Sequence, residues 1–422
     1  MKTKKNLIFI LISLQTTITS LIIPLTNPSP GLFAVSLSIG YPKHDFLLLI
    51  DTTSDYTWVR GTNCTFCSYT ENIYNEKESI SVIYPTNYPF ITISDIRGTV
   101  SGVIALDDVK LDSFYVNKLE ILIASEDEFL EFVDGVLGLD IMRSSGNNNL
   151  LIFKLYQNGS IKQRVFSINI KEEMSATMSI GEIPSHILND KDNYSTCKIR
   201  NENNNWNCLV THILFGDDFD FYNAIKLDNA ITNFSTGVNG IYIPINLIDL
   251  FLDNYFKKLP NFNSQKCFIK KSSNTKHILC QKNFLNFKGP SISFIINGYA
   301  YFISFEDLFE DVYSDSYNQY KIFKIEFTDT PKNELYFGTL FLKQSEVVFD
   351  AEKMEVGFYS KNKVDFTKFT NEHFESFCWY NTISILVLLF ILVGPMIITL
   401  YHQKISSKHF NDLKNNNLNK EK

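Results

Sequence analysis

The stretch Phe46-Leu-Leu-Leu-Ile-Asp51-Thr-Thr-Ser-Asp-Tyr-Thr-Trp58-Val decides the fold class. Its apolar run ends directly at Asp51, which is typical of a fully buried strand followed by a polar loop. Upstream, residues 33–40 alternate apolar and polar side chains, as half-buried strands do. Similar short patterns recur at 91–111, 119–124 and 165–170, and the chain holds 36 Phe and 21 Tyr. These features favour strands over helices, and we predict an all-β protein.

An internal repeat divides the chain into two halves. The segment Asp51-Thr-Thr-Ser54 precedes the apolar stretch Val136-Leu-Gly138 by 87 residues. In the second half, Ser235-Thr-Gly237 precedes Leu335-Tyr-Phe-Gly338 by 103 residues. Two copies of one lobe would produce this pattern. We therefore predict an N-terminal β lobe at 21–190 and a C-terminal β lobe at 191–359.

Six segments in the same order resemble the pepsin-like aspartic proteases over residues 33–359. Besides the opening stretch, they are Asp134-Gly-Val-Leu-Gly-Leu139, Ser235-Thr-Gly-Val-Asn-Gly-Ile-Tyr-Ile-Pro244, Pro290-Ser-Ile-Ser-Phe-Ile-Ile-Asn-Gly298, Leu335-Tyr-Phe-Gly-Thr-Leu-Phe341, and Val348-Phe-Asp350 with Val356-Gly-Phe358. The resemblance implies a bilobal fold with a central cleft, and an activity that needs no metal and no organic cofactor.

The resemblance also implies a catalytic pair of aspartates, one from each lobe. Asp51 matches the first, but Ser235 stands where the second is expected. A hydroxyl cannot replace an ionised carboxylate. Shifting the alignment does not help, because Asn233 also lacks a carboxylate and Asp228 lacks the Thr-Gly that should follow.

Two further positions depart from the family pattern. Thr53 replaces a glycine after Asp51-Thr52, and a β-branched residue is stiff and bulky at such a turn, so we expect an altered geometry of the Asp51 carboxylate. In the flap, the hairpin expected to cover the cleft, Asp95 takes the place of a tyrosine that would partner Trp58, while Gly98 is retained. Asp95 could instead supply a replacement carboxylate, although a solvated surface charge is the commoner role for such a residue.

The cleft is therefore expected to bind an extended peptide with little or no hydrolysis. Its predicted lining residues are Thr52, Thr53, Ser54, Trp58, Asp95, Gly98, Thr236 and Gly237. The alternative is an active endopeptidase that uses Asp51 with a non-standard partner. A third hypothesis is a structural surface protein whose cleft is filled or blocked by a glycan on Asn233.

Both ends of the chain carry targeting signals. Residues 1–20 read as a signal peptide, with an uncleaved anchor as the alternative. Residues 360–378 read as a polar stalk, and 379–401 as a transmembrane helix, which is too long and apolar for a buried core helix. The basic tail 402–422 belongs on the cytosolic side. These signals predict a single-pass type I protein of the secretory pathway, at the cell surface or in the endolysosomal system.

Charge excludes one class of partner. The whole chain carries −7, and residues 1–20 and 402–422 contribute +3 each, so residues 21–378 carry −13. Nucleic-acid binding needs a basic surface, so we expect no nucleic-acid partner.

Seven cysteines agree with an oxidising compartment. Proximity along the chain suggests three disulfides, Cys64–Cys67, Cys197–Cys208 and Cys267–Cys280, and leaves Cys378 over. A redox or zinc motif is the alternative for the first pair, although no second pair or nearby His completes a metal site. Glycosylation sequons occur at Asn63, Asn158, Asn193 and Asn233.

Overall fold

The computed structural model describes residues 21–366 with short gaps, together with Pro395 and Lys404. The gaps are 66, 68–71, 87–88, 96, 129–131, 142–148, 173–174, 201–204, 217–223, 273–274, 313–315 and 331–332. One compact unit extends to Val364, and a second begins at Asp365. The predicted signal peptide lies outside the described residues, as do the predicted transmembrane helix and tail apart from Pro395 and Lys404. No helix among the described residues is long and apolar enough to cross a membrane.

The described residues are mostly strand, which confirms the predicted fold class. The strands of the first half are β1 Leu21–Ser29, β2 Leu32–Ile39, β3 His44–Asp51, β4 Thr57–Thr65, β5 Phe90–Asp95, β6 Gly98–Leu111, β7 Phe114–Asp127, β8 Gly135–Gly138, β9 Val165–Glu172 and β10 Ser175–Ile180.

The second half continues in the same way. Its strands are β11 Tyr194–Lys198, β12 Asn207–Phe215, β13 Ile225–Phe234, β14 Ile241–Pro244, β15 Cys267–Ser272, β16 Thr275–Gln281, β17 Ile292–Ile296, β18 Tyr299–Ile303, β19 Phe309–Asp311, β20 Tyr320–Phe323, β21 Ile325–Thr328, β22 Glu334–Phe337, β23 Glu346–Asp350, β24 Glu355–Tyr359 and β25 Val364–Asp365. In the described part of the chain, four short α-helices interrupt the strands: α1 Leu151–Gln157, α2 Ser185–Asn189, α3 Ile248–Asn254 and α4 Thr339–Leu342.

These strands form two large sheets. The first sheet has the order β11-β24-β23-β9-β10-β1-β2-β3-β8-β4-β7-β6-β5. It therefore combines strands of the first half with β11, β23 and β24 from the second half. The other sheet has the order β19-β20-β16-β21-β14-β22-β13-β12-β17-β18-β25, with β15 paired to β16.

Among the described residues each half contains two parallel strand pairs, and one pair in each half, β3–β8 and β13–β22, sets the position of the site. β3 runs parallel to β8, with Asp51 opposite Gly138. β13 runs parallel to β22, with Phe234 opposite Phe337, so Ser235 follows the strand end. A Cβ on Gly138 would lie 2.5 Å from the Tyr56 carbonyl oxygen, because neighbouring backbone comes this close. The two repeats noted in the sequence correspond to these two pairs.

Phe234 anchors the end of β13 in a cluster of aromatic rings. Its ring centroid lies 5.3 Å from that of Phe358 and 6.0 Å from that of Phe341. Phe234 is fully buried, and such ring contacts add to the burial energy of a core. The residue that follows, Ser235, therefore starts from a fixed position.

The structure joins all three predicted cysteine pairs. Disulfides connect Cys64 to Cys67, Cys197 to Cys208 and Cys267 to Cys280. The last pair links directly opposed residues of β15 and β16.

Candidate active site

Asp51 and Ser235 meet at the junction of the two halves. Asp51 ends β3, and Ser235 follows β13. The Ser235 hydroxyl donates to Asp51 Oδ1 at 3.2 Å, and both side chains are buried. One carboxylate and one hydroxyl therefore face each other here.

A reciprocal set of hydrogen bonds between Thr52 and Thr236 holds the two loops together. Each backbone N–H donates to the other residue's hydroxyl at 3.2 Å. The Thr52 hydroxyl donates to the Phe234 carbonyl at 2.6 Å, and the Thr236 hydroxyl donates to the Ile50 carbonyl at 2.8 Å. All four polar groups are thereby satisfied in a buried place, which fixes the spacing of Asp51 and Ser235.

Thr53 binds the carboxylate it was expected to disturb. Its backbone N–H and its hydroxyl donate to Asp51 Oδ1 at 2.9 and 2.8 Å. The same hydroxyl lies 3.0 Å from Ser235 Oγ. Thr53 has a negative φ, so this turn accepts a β-branched residue. Asp51 Oδ1 thus receives hydrogen bonds from both loops.

The other oxygen of Asp51 faces an arginine that no sequence motif assigns to the site. β5 and β6 form the flap, with Asp95 opposite Gly98 at the turn. Arg97 extends from this turn into the cleft, and its Nη2 lies 2.5 Å from Asp51 Oδ2. The Arg97 side chain is 9% exposed and that of Asp51 is 0% exposed. The two residues form a buried ion pair across the cleft.

Asp95 is the second carboxylate on this guanidinium. It contacts the same Nη2, and its oxygens lie 3.1 and 3.2 Å from Arg97 Nε. Burial disfavours the charge of Arg97, but the charges of Asp51 and Asp95 outweigh burial and raise the pKa of Arg97 above its ordinary value. The cleft thus contains a permanent cation shared by two carboxylates.

Gly237 provides the space in which Arg97 lies. A Cβ at this position would be 2.3 Å from Arg97 Nη1 and 2.8 Å from Asp51 Cγ. Any larger residue would force the arginine or the carboxylate to move. The flap arginine therefore lies directly against the loop Ser235-Thr-Gly237, which we call the second-half loop.

The remaining predicted cleft residues support this arrangement. The Ser54 hydroxyl donates to the Tyr56 carbonyl at 2.9 Å and closes the turn after Asp51. Trp58 is 1% exposed and packs with Val100 and the flap residue Ile93. Ser54 therefore supports the turn after Asp51, and Trp58 packs against residues of the flap.

Other buried acids lie near the site. Burial raises the pKa of Asp140 well above its ordinary value, and the charges of Asp55 and Asp51 add to this effect. The Ile141 N–H donates to Asp140 at 2.7 Å and acts in the opposite direction. Within the described ranges, no group of three or more His, Cys, Asp or Glu side chains could hold a metal ion.

Glu326 of β21 is a further titratable group beside the second-half loop. Burial and then the charge of Glu310 raise its pKa to about 7. It lies opposite Tyr242 of β14, and its Oε2 is 3.4 Å from Nδ1 of His277. Burial and then the charge of Lys270 lower the pKa of His277, so this contact joins a neutral imidazole to the acid near neutral pH. The sequence signal that could have identified Glu326 is a single Glu within an otherwise apolar strand.

Comparison with known proteins agrees with this geometry. The family model described as Eukaryotic aspartyl protease matches residues 32–361. Pepsin B of Canis lupus familiaris is 22% identical over 355 residues, which cover 79% of this chain and 83% of that protein. Vacuolar protease A of Aspergillus fumigatus is 27% identical over 227 residues, 51% of this chain and 54% of that protein.

A plant relative shows a shorter match. Aspartic proteinase A3 of Arabidopsis thaliana is 28% identical over 152 residues, 34% of this chain and 30% of that protein. The chain therefore spans about a third of the plant relative and half of the fungal one. The match of the family model covers well over half of the sequence, and the chain belongs to the eukaryotic aspartyl protease family.

Proposed function

We propose that this protein binds extended peptides in its cleft and hydrolyses them poorly or not at all. The observation that carries the proposal is the environment of Asp51, which faces the Ser235 hydroxyl on one side and Arg97 on the other. The proposal assigns Ser235 to the position of the second catalytic aspartate.

Hydrolysis by an aspartate pair needs a proton that can move. One carboxylate is ionised and acts as general base on a water molecule, while its protonated partner donates to the peptide carbonyl. The two groups titrate as one unit, so neither works without the other. A serine hydroxyl does not ionise in this pH range and cannot exchange these roles with Asp51.

Arg97 adds a second obstacle to hydrolysis. Asp51 and Asp95 share a guanidinium, which stays protonated throughout the working pH range of proteins. A base for water must have a free lone pair directed at that water. Arg97 occupies this side of Asp51, so the water would have to displace a buried ion pair first.

Peptide binding is favoured by the shape and chemistry of the cleft. The flap is an antiparallel hairpin beside the site, and an extended segment can form strand-like hydrogen bonds with such an element. A glycan on Asn233 does not fit as a plug, because Asn233 is 1% exposed and paired within β13.

The test is proteolysis by the full-length chain purified in detergent, with unfolded casein at pH 3 to 6. We expect the wild type to cleave no faster than Asp51→Ala, while immobilised peptide libraries retain the wild-type protein. Cleavage that disappears in Asp51→Ala would overturn the proposal. Failure of all extended peptides to bind would contradict the peptide-binding part of the proposal.

A second candidate function is an active endopeptidase that uses Asp51 with Asp95. The observation that favours it is their shared contact with Arg97 Nη2, which brings two carboxylates close together. In this case Asp95→Asn should abolish acid cleavage as completely as Asp51→Asn does. Cleavage that is unaffected by Asp95→Asn would exclude this pair.

We also propose a type I topology in the secretory pathway, with residues 379–401 spanning the membrane. The uncharged run and the basic tail support this proposal. The name of one relative, Vacuolar protease A, and the −13 charge of residues 21–378 fit an acidic lumen or the cell surface. Resistance to carbonate extraction, with a C-terminal tag accessible only from the cytosol, would support this topology. Release into the soluble fraction would contradict it.

A further inference from the structure

We propose that Asp51 forms a cation-binding site on the floor of the cleft. In the peptide complex, a Lys or Arg side chain of the ligand takes the place of Arg97. This inference deepens the proposed peptide-binding function and rests on it. It assigns the ligand class as basic peptides.

The charge of Asp51 depends on a single cation. Among the described residues, Arg97 is the only positively charged side chain that forms an ion pair with Asp51, through Oδ2. The groups around Oδ1 are neutral, namely the hydroxyls of Thr53 and Ser235 and one backbone N–H. A fully buried carboxylate without a counter-charge is strongly unfavourable. Oδ2 therefore needs a cation whenever Asp51 is ionised.

When the flap lifts, Arg97 keeps a counter-ion and Asp51 loses its own. Arg97 is bound to Asp95 within the same turn, through Nε and through its backbone N–H, which donates to Asp95 Oδ1 at 2.8 Å. The two residues lie on one hairpin and move together. Arg97 thus leaves with a counter-ion of its own, whereas Asp51 stays on the floor without one. The vacated site is negative and selects a positive ligand group.

A Lys or Arg side chain of a ligand can fit in the space that the Arg97 guanidinium occupies. The Arg97 guanidinium lies against Gly237, in the space that a Cβ would fill. It shows that a planar cation on a flexible stem can reach Asp51 Oδ2 from the flap side. An extended peptide between the flap and the floor would enter from that side. Its Lys or Arg can reproduce the contact, which a neutral side chain cannot do.

The net charge of residues 21–378 also favours a basic ligand. Residues 21–378 carry −13, which attracts basic segments over longer distances. An acidic ligand would instead have to pair with Arg97 in competition with Asp51 and Asp95. It would also leave the Asp51 carboxylate buried and uncompensated. Both considerations favour a basic occupant.

Chemical rescue tests the site without any peptide. Arg97→Ala in the full-length protein vacates the site, and methylguanidinium chloride at millimolar concentration serves as the probe. We expect a saturable rise in Tm of a few degrees, because the probe binds only the folded state. N-methylurea, a neutral molecule of the same shape, should give no such rise.

The matched controls are the wild type, which holds its own arginine, and the double variant Arg97→Ala with Asp51→Asn. Neither should show the saturable rise. If Arg97→Ala does not fold, Arg97→Gln serves as the vacated variant, since it keeps much of the side-chain volume. No rise in the vacated variant, or an equal rise in the double variant, would overturn the proposed site.

Peptide binding then tests the ligand class. Otherwise identical peptides carry a central Arg, Lys or citrulline, and their affinities are measured by fluorescence polarisation. We expect the Kd of the Arg peptide to be about tenfold lower than that of the citrulline peptide. The preference should increase in Arg97→Ala and disappear in Asp51→Asn.

The two proposals fail in different ways. If peptides bind without any preference for Arg or Lys, the cation site is wrong as a ligand determinant, whereas cleft binding stands. If no peptide binds any variant, the proposed function is wrong, and the inference about the ligand class falls with it.

Discussion

Thr52 and Thr236 exchange hydrogen bonds across the two halves, each backbone N–H donating to the other residue's hydroxyl at 3.2 Å. Both residues are fully buried. The bonds join the loops that carry Asp51 and Ser235, so the mutual position of these two side chains depends on this pair.

The first prediction follows from that pair. Thr52→Val keeps the volume but leaves the Thr236 N–H and the Phe234 carbonyl without their partner. We expect a loss of about 1–3 kcal/mol in the free energy of unfolding, because buried polar groups lose their hydrogen bonds. Urea denaturation measures this loss. Thr26→Val, at an exposed position of β1, is the control and should change stability by less than about 0.5 kcal/mol. Equal effects at the two positions would contradict the prediction.

The second prediction concerns restoration of hydrolysis. Ser235→Asp alone should stay inactive, because Arg97 would then pair with both floor carboxylates. Ser235→Asp combined with Arg97→Ala should cleave casein at acid pH at least ~10²-fold faster than Ser235→Asn with Arg97→Ala, since the pair regains general acid–base catalysis. Initial rates at pH 3 to 5 measure this ratio. A cleavage rate in Ser235→Asp alone that matches the double variant would show that Arg97 does not block the site.

The third prediction concerns the flap. Asp51→Asn removes a buried counter-charge from Arg97, and breaking such a pair commonly costs ~3–5 kcal/mol. We expect amides of β5 and the start of β6 to exchange hydrogen at least ~10-fold faster, a change that mass spectrometry can follow. Asp253→Asn removes an exposed i,i+4 pair with Lys257 and should leave flap exchange unchanged. Unaltered flap exchange in Asp51→Asn would mean that the ion pair does not hold the flap.

The fourth prediction concerns pH. Glu326 has a pKa of about 7 in the folded protein and an ordinary value of 4.5, so the folded state binds its proton more tightly. The contribution of Glu326 to stability is therefore fully present below about pH 4.5 and is lost as pH rises through about 7. The total change amounts to about 3 kcal/mol. Glu326→Gln should flatten this decline in urea denaturation across that range, whereas the exposed Glu306→Gln should not. A decline that persists in Glu326→Gln would assign it to other groups.

The fold class and several strands could be predicted from the sequence because their patterns are local. The strand predicted from the alternation at 33–40 corresponds to β2, and the strand predicted from the apolar run at 46–50 corresponds to β3. The short helices α1 to α4 escaped prediction, because four to seven residues give too short a window for a helical period. The tight packing around Gly138 likewise has no signature beyond the residue type.

The site was only partly predictable for a different reason. Asp51, Ser235 and the Thr-Thr pair lie on loops whose positions follow from the repeat. Thr53 was expected to disturb the carboxylate by its stiffness, whereas its hydroxyl and backbone N–H bind Asp51. Arg97 was not predicted as a site residue, because the reach of a long side chain depends on where the flap folds over the loops that carry Asp51 and Ser235. That position is a tertiary property, which no local pattern encodes.

The placement of β23 and β24 has a consequence for biosynthesis. β9 pairs with β10 on one side and with β23 on the other, and β24 joins β23 to β11. The β9 edge of the first-half sheet therefore stays open until the ribosome has made residue 350. Such an unpaired edge can pair with other chains until β23 has been synthesised. Chaperones or delayed folding would protect this edge of the first half during much of its own translation.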